Sequence, residues 1–145
     1  MIRRVPAVMI HGLADARIAL APGLPVTLVS APGAALYAGA GWWTALMAAV
    51  RAEHPGRAFE DILDCGDAPG HAAEALRAGQ RHLVLHAAPP GSYERVRLMA
   101  AELGAALRPT MPEALDLSQP GARRRLAGWL AQAVNEGGDK AGGFR

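Results

Sequence analysis

Short apolar runs alternate along this chain with helical patterns. Val5 to His11 is the first strand the pattern predicts, and a helix follows over Ala14 to Leu20. Pro25 to Ser30 predicts a second strand, bounded by its proline and by the Pro32-Gly33 turn. Trp43, Leu46, Met47 and Val50 then recur at the spacing of one helix face. A third strand is expected from Phe59 to Cys65, and a short helix from Ala72 to Ala78, closed by Gly79. Leu83-Val84-Leu85 is apolar throughout, as a strand covered on both faces of a parallel sheet must be. Ser92 reads as the N-cap of a helix with Tyr93, Val96, Ala100 and Leu103 on its inner face, ended by Gly104. Ala105 to Arg108 predicts a short fifth strand. Pro109, Met111 and Pro112 begin an irregular link that Leu115 and Leu117 anchor, and Ser118 with Pro120 opens a last helix striped by Leu126, Trp129, Leu130 and Ala133. The glycine-rich residues from Asn135 to Arg145 predict a flexible tail after a single domain of residues 1–134.

Strands separated by helices imply right-handed crossovers and hence a parallel sheet. The expected fold class is α/β: a three-layer sandwich, flavodoxin-like or Rossmann-like, with a mostly parallel sheet of four or five strands. Ala75 to Leu85, a helix end leading into an apolar strand, also has the look of a unit of an eight-fold β/α barrel. The chain is too short for eight units, which leaves a half-barrel as the alternative.

Composition changes this picture in three respects. Only 19% of the 145 residues are charged, below the roughly 25% usual in globular domains. Apolar atoms must therefore cover more of the surface, and self-association as a homodimer or larger is expected. The net charge of +2 is too small to imply nucleic acid, and Arg123-Arg124-Arg125 has no interleaved aromatics for base stacking. The single cysteine excludes an internal disulfide and is compatible with a cytoplasmic location. No membrane partner is expected. The apolar run behind Arg3-Arg4 stops at His11, too soon for a signal peptide, and the uncharged span Ala31 to Val50 is interrupted by Pro32, Gly33, Gly39 and Gly41.

The richest polar chemistry lies at Asp64-Cys65-Gly66-Asp67, where a buried strand turns into a helix. In parallel sheets ligands bind at the carboxyl ends of the strands. Those ends would bring together His11, Ser30, Asp64, Cys65 and His86, with Asp67 just beyond. Asp64 is a general acid/base candidate, Cys65 a candidate nucleophile, and His86 or His11 its base. Each has a plainer role as well. Cys65 can be a packed core thiol, Asp67 a helix N-cap, and Asp64 a structural carboxylate held by backbone amides of the Ser30 loop. Gly33 belongs to a glycine-containing loop that could approach a ligand, but no dinucleotide or P-loop motif supports phosphate binding. Tyr37 and Trp42 lie off the helical stripe and suit a subunit interface. No His or Cys spacing typical of a metal site occurs, so neither metal nor cofactor is expected. No serine-hydrolase, kinase or zinc-protease motif occurs either.

The function these residues favour is a small ligand-binding or interaction domain without catalysis. The alternative is a hydrolase- or lyase-type enzyme using Asp64 and Cys65. Ser30-Ala31-Pro32-Gly33-Ala34-Ala35, Leu63-Asp64-Cys65-Gly66-Asp67 and the helix end Ala75-Leu76-Arg77-Ala78-Gly79 together resemble small bacterial α/β proteins with no assigned activity, over roughly residues 5–117. The resemblance implies the α/β fold and carries over no catalytic residue.

Overall fold

The computed structural model describes residues 5–143. Six strands and six helices follow one another as β1 (Ala7–Met9), α1 (Leu13–Leu20), β2 (Thr27–Val29), α2 (Ala34–Tyr37), α3 (Ala40–Glu53), β3 (Glu60–Asp64), α4 (Pro69–Arg77), β4 (His82–Val84), α5 (Pro90–Glu102), β5 (Ala106–Arg108), β6 (Ala114–Asp116) and α6 (Ala122–Gly143). Residues 1–4 and 144–145 and the side chains from 133 onward lie outside the described residues; of the segment 135–145, expected as a tail, only the backbone as far as 143 is described, as part of α6.

The parallel α/β architecture is the one the sequence predicts, with six strands where four or five were expected and with the helices gathered on one face of the sheet in place of two outer layers. The added strand is β6. Leu115 and Leu117 do anchor the segment, but Ala114–Asp116 also pairs in parallel with Ala7–Met9. Two helix details differ too. Helix α5 starts at Pro90, with Pro89 in the N-cap position instead of Ser92, because a proline without an N–H suits the first helical position. Leu103 is 45% exposed and forms the helix end, so the inner face of α5 is Tyr93, Val96 and Ala100.

The sheet order is β5-β4-β3-β2-β1-β6. From β1 to β5 each strand is laid down beside the last, always in the same direction. Right-handed crossovers then put every connecting helix on one face. The core agrees: buried residues of all six helices share one cluster with Val8, Ile10, Leu28, Leu63, Leu83, Leu85 and Leu115. Along each strand the alternate residues face the other way. There Ala7, Val29, Ile62 and Val84 form a second, smaller cluster, joined by Met9, Ala114 and Met111.

Met111 belongs to the link that joins the two edges of the sheet. Strand β5 ends at Arg108 and β6 begins at Ala114 on the opposite edge. A link of this length reaches at most about 22 Å. The edges of a flat six-stranded sheet are about 24 Å apart, and the link must also run back along the strand direction. The sheet is therefore curled, its helix-free face concave and closed over by the link.

A buried polar knot fixes the helical layer to the sheet. Asp61, 8% exposed, accepts hydrogen bonds from Trp43 Nε1 at 2.7 Å, from Arg51 at 2.8 Å and from Gln80 Nε2 at 2.8 Å. Gln80 also donates to the His82 carbonyl. The knot thus ties α3, β3 and β4 together. Asp61→Ala strands the buried Trp43 N–H without an acceptor and leaves the Gln80 amide only backbone carbonyls to bond. It is expected to lower unfolding stability by about 2–4 kcal/mol, read from a fall in the urea midpoint at unchanged slope.

Candidate functional site

All strands are parallel, so their carboxyl ends form one mouth. Backbone pairing continues a residue past the strands there. Ile10 N–H donates to Val29 O, Ser30 N–H to Ile62 O, Cys65 N–H to Val84 O, Leu85 N–H to Arg108 O and Leu117 N–H to Met9 O. The residues at the mouth are consequently held by the sheet itself.

Strand alternation sorts the expected site residues onto two faces. Asp64 shares the concave face with Ile62. Asp116 shares it with Ala114, and Arg108, in register with Val84, does too. His11 joins them through its ring, whose Nε2 lies 2.7 Å from Asp116 Oδ1. His86 Nδ1 lies 3.3 Å from the carbonyl of Pro109, the first residue of the link. Ser30 and Cys65 fall on the other face. The structure brings His11, Asp64 and His86 to one mouth and turns Cys65, the candidate nucleophile, and Ser30, expected to face a ligand, away from it.

Cys65 is fully buried in the helix-side core. Burial, and after it the charge of Asp64, push its thiol up to about 12. Its one hydrogen-bond acceptor among the described residues is the Leu63 carbonyl, 4.0 Å away. These observations favour the packed core thiol over the nucleophile. Ser30, also fully buried, is committed to structure: its hydroxyl accepts from Asp64 N–H at 2.9 Å and donates to Ala31 O at 3.1 Å.

Asp64 is 7% exposed. Its Oδ1 accepts from Gly66 N–H at 2.7 Å, a tight turn of the Asx kind, so the carboxylate is held by its own turn and not by amides of the Ser30 loop. Gly66 has φ +58, and a Cβ there would lie 2.6 Å from Leu36 Cδ1. The turn requires glycine for its backbone; the Leu36 tip, on a 44% exposed side chain, could give way to a Cβ. Oδ2 of Asp64 accepts no hydrogen bond from the described residues, yet it is not sealed from solvent. It is an open oxygen on a buried residue.

Asp67 is exposed and does not cap α4. The N-cap position is Ala68, without a side-chain bond, and Pro69 starts the helix. Gly33 adopts φ +66 as the entry to the four-residue α2, and its Cα sits 3.8 Å from where a Cβ on Gly66 would be. The close approach of two turns accounts for it. Tyr37 is 70% exposed and Trp42 37%, with Leu36 beside them at 44%.

Asp116 and Arg108 were not among the residues singled out from the sequence. Both sit in segments too short to show alternation on their own. Asp116 Oδ1 accepts from the His11 ring, from Ser118 N–H at 2.9 Å and from Ser118 Oγ at 2.8 Å. Burial alone would raise this carboxyl, but the bonds from His11 and Ser118, aided by the His11 charge, outweigh it and take it down to about 2. Arg108 is half-buried and makes no ion pair or side-chain hydrogen bond among the described residues. Ala87, next to His86, has φ 56, the one non-glycine residue with positive φ among those described. Such conformations cost on the order of 1 kcal/mol and gather where a site fixes its loops.

These features define the class as a parallel α/β domain with a polar mouth at its strand ends. No protein-family model matches the chain, and no curated protein is similar to it at a significant level. Among the described residues no group of three or more His, Cys, Asp or Glu side chains converges as metal ligands would, and no helix is long and apolar enough to cross a membrane.

Two measurements test this account. Iodoacetamide is expected to leave Cys65 unmodified in the folded protein up to pH 9 and to label it after unfolding; labelling of the native protein near pH 7 would contradict its burial. Asp116→Ala removes the acceptor of three hydrogen bonds and should cost about 1–2 kcal/mol at pH 7. The Asp116 carboxyl is held below its ordinary value of 3.8, so its contribution is complete above that pH and fades as pH falls toward 2. Urea unfolding of both proteins across that range should show the gap closing on the acid side.

Proposed function

We infer that the protein binds a small polar ligand at the mouth of the curled sheet, without a side-chain nucleophile. The observation that carries this reading is Asp64. A carboxylate on a nearly buried residue, fixed by Gly66 on one side, leaves its second oxygen open toward the mouth. An acceptor that reaches solvent at a strand end, fixed in place through its partner oxygen, is available to a donor on a ligand. His11, His86, Arg108 and Asp116 supply further polar groups around it.

A second reading, a hydrolase- or lyase-type enzyme using Asp64, is favoured by the His11–Asp116 pair. Asp116 orients the imidazole through Nε2, while Nδ1 makes no hydrogen bond to the described residues. That is the arrangement of a general base and its positioning residue. His11 keeps the base role expected of it, without the Cys65 thiol to activate.

Amide chemical shifts of labelled protein titrated with a panel of small polar fragments separate these readings. Ligand binding at the mouth should move residues 10–12, 65–68, 86–89 and 117–118. Asp64→Asn, which keeps an oxygen for Gly66, should weaken that binding about tenfold, or about 1.4 kcal/mol, with the fold intact. Shifts confined to other surfaces would contradict the proposal. Chemical conversion of a bound fragment that His11→Ala abolishes would establish the enzyme instead.

The exposed Leu36, Tyr37 and Trp42 support self-association through the α2–α3 corner, in keeping with the low charge content. Trp42→Ala should then lower the sedimentation mass at micromolar concentration, and an unchanged mass would count against this contact.

A further inference from the structure

Helix α3 turns an apolar face to solvent as well as to the core. Its inner face is Ala40, Trp43, Met47 and Val50. On the opposite side, spaced alternately four and three residues apart as in a coiled-coil seam, stand Gly41, Ala45, Ala48 and Ala52, all exposed. No Asp, Glu, Lys or Arg occurs from residue 18 to 50, so most of this outer side lacks the charges that a solvated helix face carries. Gly41 has no positive φ, and a Cβ there would meet nothing within 4 Å. Nothing inside the chain calls for glycine at that place. Leu36, Tyr37 and Trp42 are exposed at the amino end of the same seam. The Trp42 indole N–H, unlike those of Trp43 and Trp129, donates to no described residue.

We propose that this face of α3 packs antiparallel against the same face of a second copy of the chain, about a two-fold axis that passes between Ala45 and Ala48. This rests on the reading of the α2–α3 corner as a self-association surface, and gives that contact an orientation and a register. Pairing Ala45 with the partner's Ala48 also pairs Gly41 with the partner's Ala52. Small side chains then meet along the whole seam and let the two helix axes approach to about 8 Å. Because the contact is two-fold, every such pairing is made twice.

The charges at the helix ends select a copy of this chain over other apolar partners. Helix α3 starts from Gly39 without a side-chain cap, and its first turn holds no acid. Its last residue is Glu53, whose carboxylate accepts from Arg17 Nε at 2.8 Å. That places a negative charge at the negative end of its own helix dipole. In the antiparallel register the partner's Glu53 comes level with Ala40, where the uncapped N–H groups of the first turn favour an anion. Trp42 and Glu53 share one flank of the helix, so the same carboxylate is brought toward the unpaired Trp42 indole N–H. The two Glu53 side chains stay about 20 Å apart along the axis, beyond the screening length at physiological salt. A parallel pairing would set them side by side. An anionic lipid surface is a poorer occupant, because the seam carries no basic residue to meet its headgroups.

The test is sedimentation equilibrium of the full chain and of variants along the seam, with circular dichroism melts to confirm that each is folded. The unaltered chain is expected to be a dimer at micromolar concentration. Ala45→Glu puts two like charges into the contact and should raise the dissociation constant about a hundredfold or more. Ala101→Glu, on the exposed side of α5, should leave it unchanged. Glu53→Gln should raise it about threefold. Orientation is read by cross-linking, for which the buried Cys65 is silent. A short bismaleimide should join two copies of Ala45→Cys but not two copies of Ala52→Cys, whose positions lie about 16 Å apart along the axis. Equal cross-linking of both variants would overturn the antiparallel register. If Trp42→Ala dissociates the dimer and Ala45→Glu does not, the seam is overturned and the corner contact stands. If the chain is a monomer throughout, both fall.

Discussion

Residues 109–113 are too few to cross a flat sheet, and the rest of the molecule follows from that shortage. They must carry the chain from one edge strand, β5, to the other, β6, which pairs with β1. The sheet can meet that demand only by curling until its edges approach. Curling in turn makes the two faces unlike. The convex face takes all the helices and nearly all of the apolar bulk, whereas the concave face keeps a thin lining of Ala7, Val29, Ile62 and Val84 under Met111. A concave surface gathers side chains from strands that are not neighbours, which a flat sheet holds apart. The polar groups at its carboxyl end converge for this reason.

Alternation along the strands then decides which chemistry reaches the mouth. Asp64 and Cys65 are adjacent in sequence, and for that reason they point to opposite faces. One presents an open oxygen toward the mouth and the other packs among helices with its thiol pushed up to about 12. The same one-residue step separates Val29, on the concave lining, from Ser30, whose hydroxyl bonds to the backbone of β3. A motif that looks dense as a string of letters is thus divided in space.

Much of the fold was legible because the apolar runs at 7–9, 27–29, 62–65 and 83–85 are strong and regularly separated by helical patterns. The parallel sheet follows from that separation alone. Strand β6 was not legible, since Ala114–Asp116 lies between two prolines and a serine-proline turn and carries a single buried residue, Leu115. Without β6 there was no short link to reckon with, and so no reason to expect the curl. At the site, His11, Asp64 and His86 could be found because strand ends are where polar residues interrupt apolar runs. Arg108 and Asp116 could not. Each belongs to a strand of three residues, and only the register with β4 and β1 shows which way they face.

Strand β3 carries an internal comparison that bears on function. Asp61 and Asp64 sit three positions apart, each less than a tenth exposed, on opposite faces of one strand. Asp61 is surrounded by donors: an indole, a guanidinium and an amide bring three hydrogen bonds to its two oxygens. The fold thereby shows that it can satisfy a buried carboxylate fully where the carboxylate is structural. Asp64 receives one backbone N–H, and its other oxygen is left open beside a half-buried arginine that is also unpaired and a loop holding Ala87 at positive φ. Sequences that fold well are locally consistent, and departures from that consistency concentrate where function imposes them. Three such departures fall within one mouth and none is repeated on the helix side of the same strand, which sets the mouth apart from the parts that hold the sheet together.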